Sequence, residues 1–244
     1  NKTGLGLDFQ SAGWTVNDSV GGAYIRMDGT SVSANTNLSS VGAGVNTINA
    51  NVSGSGGGIL TVNVGAGNTL VSNGDWINGN DKNFTGTGTF VLNGTNSANN
   101  TGVIGFSDAM TLMVNGAGGV YSGTVNNGGK VTGTGTISVF NYQTLTFGDT
   151  GILTAGGDGT FGNEIGTLTF DSTTTARAEM SMDAGSIAEL QIGSGGVGDN
   201  DKIALDLSGG RLAINAGASL NILGSVIEDG TYTLFENIGT SNFV

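Results

Sequence analysis

Short runs in which apolar and polar residues alternate recur along the whole chain, each opened by glycine and closed by asparagine, glycine or aspartate. Gly56-Gly57-Gly58-Ile59-Leu60-Thr61-Val62-Asn63-Val64-Gly65 is one such unit, and Gly86-Thr87-Gly88-Thr89-Phe90-Val91-Leu92-Asn93-Gly94 is a second. Gly133-Thr134-Gly135-Thr136-Ile137-Ser138-Val139 and Ile165-Gly166-Thr167-Leu168-Thr169-Phe170-Asp171 repeat the pattern. Further short runs of the same texture begin at Met110, Thr144, Lys202, Arg211, Ser219 and Thr231. Alternation with a period of two, rich in Thr and bounded by turn formers, predicts strands with one buried face. Apolar residues at i, i+3, i+4 and i+7 are nowhere sustained without an interrupting glycine, so essentially no helix is expected.

The spacing of the runs selects an architecture. From Phe90 to Leu112 is 22 residues, from Leu112 to Ile137 is 25, from Leu145 to Leu168 is 23, and from Leu168 to Leu190 is 22. Repeats of this length belong to solenoids, propellers and arrays. Two or three strands per repeat, joined by tight turns, predict an all-β chain folded as a right-handed parallel β-helix, a β-solenoid. Roughly ten rungs stacked at about 4.8 Å would give a rod on the order of 50 Å long. One domain over residues 1–244 is expected, with longer and less regular loops over about 1–85 and nearly continuous strand and turn from about 165 onward. The alternating positions expected in the core are Leu60, Val62, Phe90, Leu92, Leu112, Ile137, Val139, Leu168, Phe170, Ile203, Leu205, Leu212, Ile214, Leu220 and Ile222.

Composition agrees with a chain that is almost all ladder. There are 47 glycines and no proline; a proline inside a strand would remove a ladder donor, whereas glycine admits positive φ and close stacking at corners. The disordered alternative for a Gly/Ser/Asn/Thr-rich chain is opposed by 37% hydrophobic residues placed regularly within the runs. A net charge of −12 with seven basic residues argues against nucleic acid and anionic membranes as partners. No apolar run approaches the roughly 18 residues of a membrane span, so none is expected.

The succession Gly133-Thr134-Gly135-Thr136-Ile137-Ser138, Thr144-Leu145-Thr146-Phe147, Gly166-Thr167-Leu168-Thr169-Phe170, Asp201-Lys202-Ile203-Ala204-Leu205 and Gly230-Thr231-Tyr232-Thr233-Leu234-Phe235 resembles the autotransporter-associated β-strand repeat proteins, over about residues 85 to 240. The resemblance implies a bacterial protein, secreted or displayed at the cell surface, with a parallel β-helix.

Candidate chemistry is sparse. Histidine and cysteine are absent, which removes His-dependent nucleophilic schemes and the usual soft metal sites. Asp199 and Asp201 are the closest carboxylate pair considered for glycoside hydrolysis, but they stand in Gly195-Gly196-Val197-Gly198-Asp199-Asn200-Asp201, which reads as a turn. A lyase would need a base beside an acidic calcium site, and Arg177, Lys202 and Arg211 have no dense acidic cluster around them. The chain is therefore expected not to be an enzyme, a polysaccharide-degrading β-helix being the least favoured alternative. The same turn partly resembles the Gly-Gly-x-Gly-x-Asp calcium repeat, with Asn200 at the aspartate position, so Asp199 and Asp201 are a weak calcium candidate. Asp149, Asp158 and Glu164 form another acidic loop suited to hard oxygen coordination. No other cofactor is expected.

Trp14, Trp76, Tyr24, Tyr121 and Tyr142 fit core or cap positions better than a carbohydrate face, though glycans remain an alternative partner. Both ends read as strands: Leu5, Leu7 and Phe9 alternate near the start, and Phe243 and Val244 lie at the other end. Unpaired strand edges accept further strands. The leading expectation is an extracellular or cell-surface structural protein, a building block of a surface layer, matrix or filament whose partner is itself, assembled head to tail. An adhesin passenger that binds glycans or a host surface is the alternative.

Overall fold

The computed structural model describes residues 6–18, 24–27, 36–54, 59–78, 81–95, 103–117, 120–139, 142–157, 165–172, 178–193, 199–207, 210–224, 229–239 and 242–243. They form a parallel β-helix with no helix among the described residues. Its strands lie in long sheets in which every ladder between strands is parallel, so each strand pairs with its counterparts one rung below and one rung above.

Each rung passes through three faces. One face is a nine-stranded sheet that runs from Thr15–Val16 through Gly44–Ile48, Asn68–Ser72, Thr89–Leu92, Thr111–Val114, Lys130–Thr132, Ile152–Leu153 and Ile187–Gln191 to Ser219–Leu223. A second begins at Gly6–Phe9 and continues through Thr36–Ser40, Ile59–Val64, Asp81–Gly86 and Val103–Phe106 to Val120–Val125. The third starts as Tyr24–Arg26, Asn51–Gly54 and Trp76–Asn78.

The second sheet forks in the strand Val120–Val125. Its first residues pair with Ser138 and Val139, and Gly123, Thr124 and Val125 pair with Leu145, Thr146 and Phe147. Gly123 turns this corner at φ 123°, and a Cβ there would overlap the carbonyl oxygen of Ile104. Only glycine combines that conformation with that approach. Beyond the fork, one branch continues as Thr167–Ser172, Lys202–Asp206 and Phe235–Asn237, and the other as Glu179–Met182, Arg211–Ile214 and Asn242–Phe243.

The core is the inward half of these strands. Trp76 packs on Phe90, Phe90 on Phe84 and Phe84 on Phe106, with ring centroids 5.2, 6.2 and 5.1 Å apart, and the Trp76 indole N–H donates to Ser72 Oγ at 2.6 Å. Twelve of the fifteen expected core positions are buried. Ile214 and Leu220 are instead 49% and 54% exposed, and Ile222 is half-buried. They share the inward parity of the core, standing beside the buried Met182, Ala188 and Leu190. No further strand covers Ser219–Leu223 among the described residues.

The register differs from the expected spacing. Phe90 does stand beside Leu112, but Leu112 continues to Val131 and not to Ile137. Leu145 stacks on Met180, and Leu168 on Ile203. Contacts between neighbouring rungs link residues 19 to 24 apart in the middle of the chain and 32 to 35 apart towards the C-terminal end. The rungs beyond residue 165 are therefore longer than the central ones.

Candidate functional site

The corner that follows each of the first five strands of the nine-stranded sheet opens on an asparagine: Asn17, Asn49, Asn73, Asn93 and Asn115. Asn49 Nδ2 donates to Asn17 Oδ1 at 2.7 Å, Asn73 to Asn49 and Asn93 to Asn73 at 2.8 Å, and Asn115 to Asn93 at 3.1 Å. The next residues form a second column: a Cβ on Gly74, Gly94, Gly116 or Gly135 would overlap the carbonyl of the rung beneath. An inner polar cluster ties the neighbouring corner, where Asn46 donates to Ser40 Oγ and Ser40 Oγ donates to Asn68 Oδ1. These repeats hold rungs in register, and their amides are occupied by one another.

The two expected calcium ligands have different surroundings. Asp201 is buried, and its carboxylate accepts from the backbone N–H of Gly166 at 3.0 Å and of Gln191 at 2.9 Å. Burial pushes this carboxyl up to about 6, while the two N–H donors favour the ionised form and limit the rise. Both oxygens thus face hydrogen-bond donors, as in a structural staple. Asp199 is half-buried, its carbonyl accepts from Gly193 N–H at 2.7 Å, and its carboxylate lies against Gly193. Gly195–Gly198 lie outside the described residues, as do Asp158, Glu164 and Arg177, while Asp149 is exposed on a turn. Among the described residues no cluster of three or more acidic side chains converges as a cation site.

The ends of the solenoid form a further candidate surface. At the C-terminal end Ile214, Leu220 and Ile238 are about half exposed, and Leu223 is exposed beside them. At the N-terminal end Gly6–Phe9, Thr15–Val16 and Tyr24–Arg26 are the outermost strands of the three faces. Leu7, Val16 and Ile25 are partly buried against the core, and Phe9 is buried. A cavity of about 360 Å³ opens here, lined by Leu7, Phe9, Trp14 and Val16 with Asp8, Gln10 and Ser11. Trp14 is 60% exposed, and its indole N–H donates to Ser11 Oγ at 3.0 Å. Of the expected association residues, Phe243 pairs through its backbone with Leu212. Leu5 and Val244 lie outside the described residues.

Among the aromatic candidates, Trp76 is core, whereas Trp14, Tyr24 and Tyr142 are exposed. Tyr121 is placed by its backbone pairing with Val139. Lys82 was missed from the sequence. It shares the inward side of Asp81–Gly86 with Phe84, stands between Leu60 and Ile104, and is buried. The signal that would have found it is parity, since Lys82 and Phe84 are two residues apart in a strand.

No family model, curated protein or solved structure matches the chain.

Proposed function

We propose that this chain is a non-enzymatic structural β-solenoid of the extracellular or cell-surface space, which lengthens by stacking a second copy of itself on its end rung. The observation that supports the reading is apolar surface in the inward register of the core at the outermost described strands, where Ile214 and Leu220 are half exposed. Half-exposed Ile214 and Leu220 leave apolar surface in water whose burial is worth about 25 cal/mol per Å². Continuing the ladder would place Thr15–Val16 of the next copy on Ser219–Leu223, and Tyr24–Arg26 on Phe235–Asn237. With Ile25 beside Phe235 in the shared inward register, Arg26 would stand beside Glu236, whose carboxylate already pairs with Lys202 at 3.0 Å. The net charge of −12 opposes side-by-side clumping, while contacts at the ends act within the roughly 8 Å over which salt leaves charge unscreened. The absence of histidine and the occupied carboxylate of Asp201 support a role without catalysis.

Light scattering and negative-stain imaging over a concentration series test the reading. The intact chain should form linear assemblies, and Leu220→Lys should remain a folded monomer because Leu220 is already exposed in the single chain. An intact chain that stays monomeric at high concentration, in calcium and in chelator alike, would overturn it.

A further inference from the structure

Three described residues other than glycine have positive φ: Asn127 at 53°, Tyr142 at 56° and Thr150 at 58°. Two are accounted for locally. Asparagine tolerates this region, and Asn127 Nδ2 also donates to Phe106 O at 2.8 Å. Thr150 Oγ1 accepts from Gly128 N–H at 2.9 Å and donates to Asp149 O at 2.7 Å. Tyr142 has no such compensation. Its ring is 80% exposed, and its hydroxyl has no hydrogen-bond partner among the described residues. A bulky side chain in a strained conformation that covers no core points to a use outside the fold.

The surroundings define that use. Tyr142, Gln143, Thr144 and Glu179 line an open depression of about 220 Å³. Its floor is rigid: Thr144–Phe147 pairs with Glu179–Met182, and the backbone N–H of Glu179 donates to Gln143 O at 3.1 Å. Arg211 holds the Glu179 carboxylate, its Nη2 donating to Oε1 at 3.0 Å and its Nε lying 2.9 Å from Oε2, so the charge is matched. An exposed aromatic face beside a neutral amide, a hydroxyl and a balanced ion pair is the chemistry that recognises a sugar ring. The C–H face of a pyranose covers the aromatic ring, and its hydroxyls reach the polar rim.

We propose that Tyr142, with Gln143, Thr144 and the Glu179–Arg211 pair, forms a shallow binding site for one ring of a neutral hexopyranose glycan. The preference for neutral sugars follows from the overall charge of −12 and from the engagement of the Arg211 guanidinium by Glu179. The site lies on a lateral face, so it operates whether or not the ends assemble.

Saturation-transfer NMR with cellohexaose, mannohexaose and chitohexaose, and with hexagalacturonate as the acidic comparison, tests the proposal on the full chain. At least one neutral hexasaccharide should bind, with the signal strongest at the ring that contacts Tyr142. Tyr142→Gly should weaken that binding by about tenfold or more. Its melting temperature should stay equal or rise, because glycine accepts the positive φ without strain. Tyr142→Trp should retain binding. The proposal is overturned if no neutral hexasaccharide binds at millimolar concentration, if Tyr142→Gly binds as well as the parent, or if hexagalacturonate is preferred.

Discussion

An ammonium group in a stack of leucine, isoleucine and phenylalanine destabilises the fold whenever it is charged. Burial lowers Lys82 from 10.5 to about 7, against the opposing pull of the neighbouring Asp81 carboxylate. Between these values the unfolded chain holds a proton that the folded chain has released, so this residue makes stability rise as the pH climbs from about 7 to 10.5. Denaturant melts across that window should show the rise in the parent and lose it in Lys82→Met. Asp201 acts in the opposite sense. With its carboxyl raised from 3.8 to about 6, the folded chain retains a proton that the unfolded chain has lost, so its contribution falls as the pH rises through that interval. Asp201→Asn should flatten this slope. It should also cost about 1–3 kcal/mol, because the amide's N–H₂ would face one of the two backbone donors; equal melts for parent and variant would show that the staple is not needed.

At the level of strands and corners, the Asn-Gly dipeptides do more than end a strand. Each asparagine bonds the one below, and each following glycine sits where a side chain would strike a carbonyl. Gly94→Ala should therefore cost about 1–3 kcal/mol through overpacking, measured by urea denaturation, whereas the open Gly105, which has nothing near its Cβ position, should accept alanine at less cost. These elements were legible in the sequence because alternation reports which side of a strand is buried: Leu60, Val62, Phe90 and Leu168 are all inward and buried. The register between rungs was not legible. Strands on all three faces share one pattern, so Leu168 and Leu190 look like successive copies although Leu168 stacks on Ile203. The exposure of Leu220 was equally hidden, since burial in a solenoid depends on the next rung and not on the residue itself. Tyr142 was visible only as one aromatic among five; its positive φ and its place beside Glu179 belong to the folded corner.

Across the whole molecule, stability in a stack is a sum of each rung's own contribution and its contacts with two neighbours, and an outermost rung has only one. Opening should therefore begin at the ends, and amide hydrogen exchange should show it as a gradient. The slowest amides are expected in the central strands, at Val62, Phe90, Leu112 and Leu145, which are buried and paired on both sides. Ser219–Leu223 and Thr15–Val16, outermost in the nine-stranded sheet, should exchange first. Head-to-tail stacking adds a consequence that simple fraying does not. As concentration rises, a second copy gives each outer strand its missing neighbour, so protection at 219–223 and 15–16 should increase while the already slow centre changes little. Lateral association would leave those edges unpaired and protect side surfaces instead. Exchange measured by mass spectrometry at low and high concentration separates the two: a concentration-dependent gain confined to both ends supports axial stacking, and unchanged ends in an associated sample would refute it.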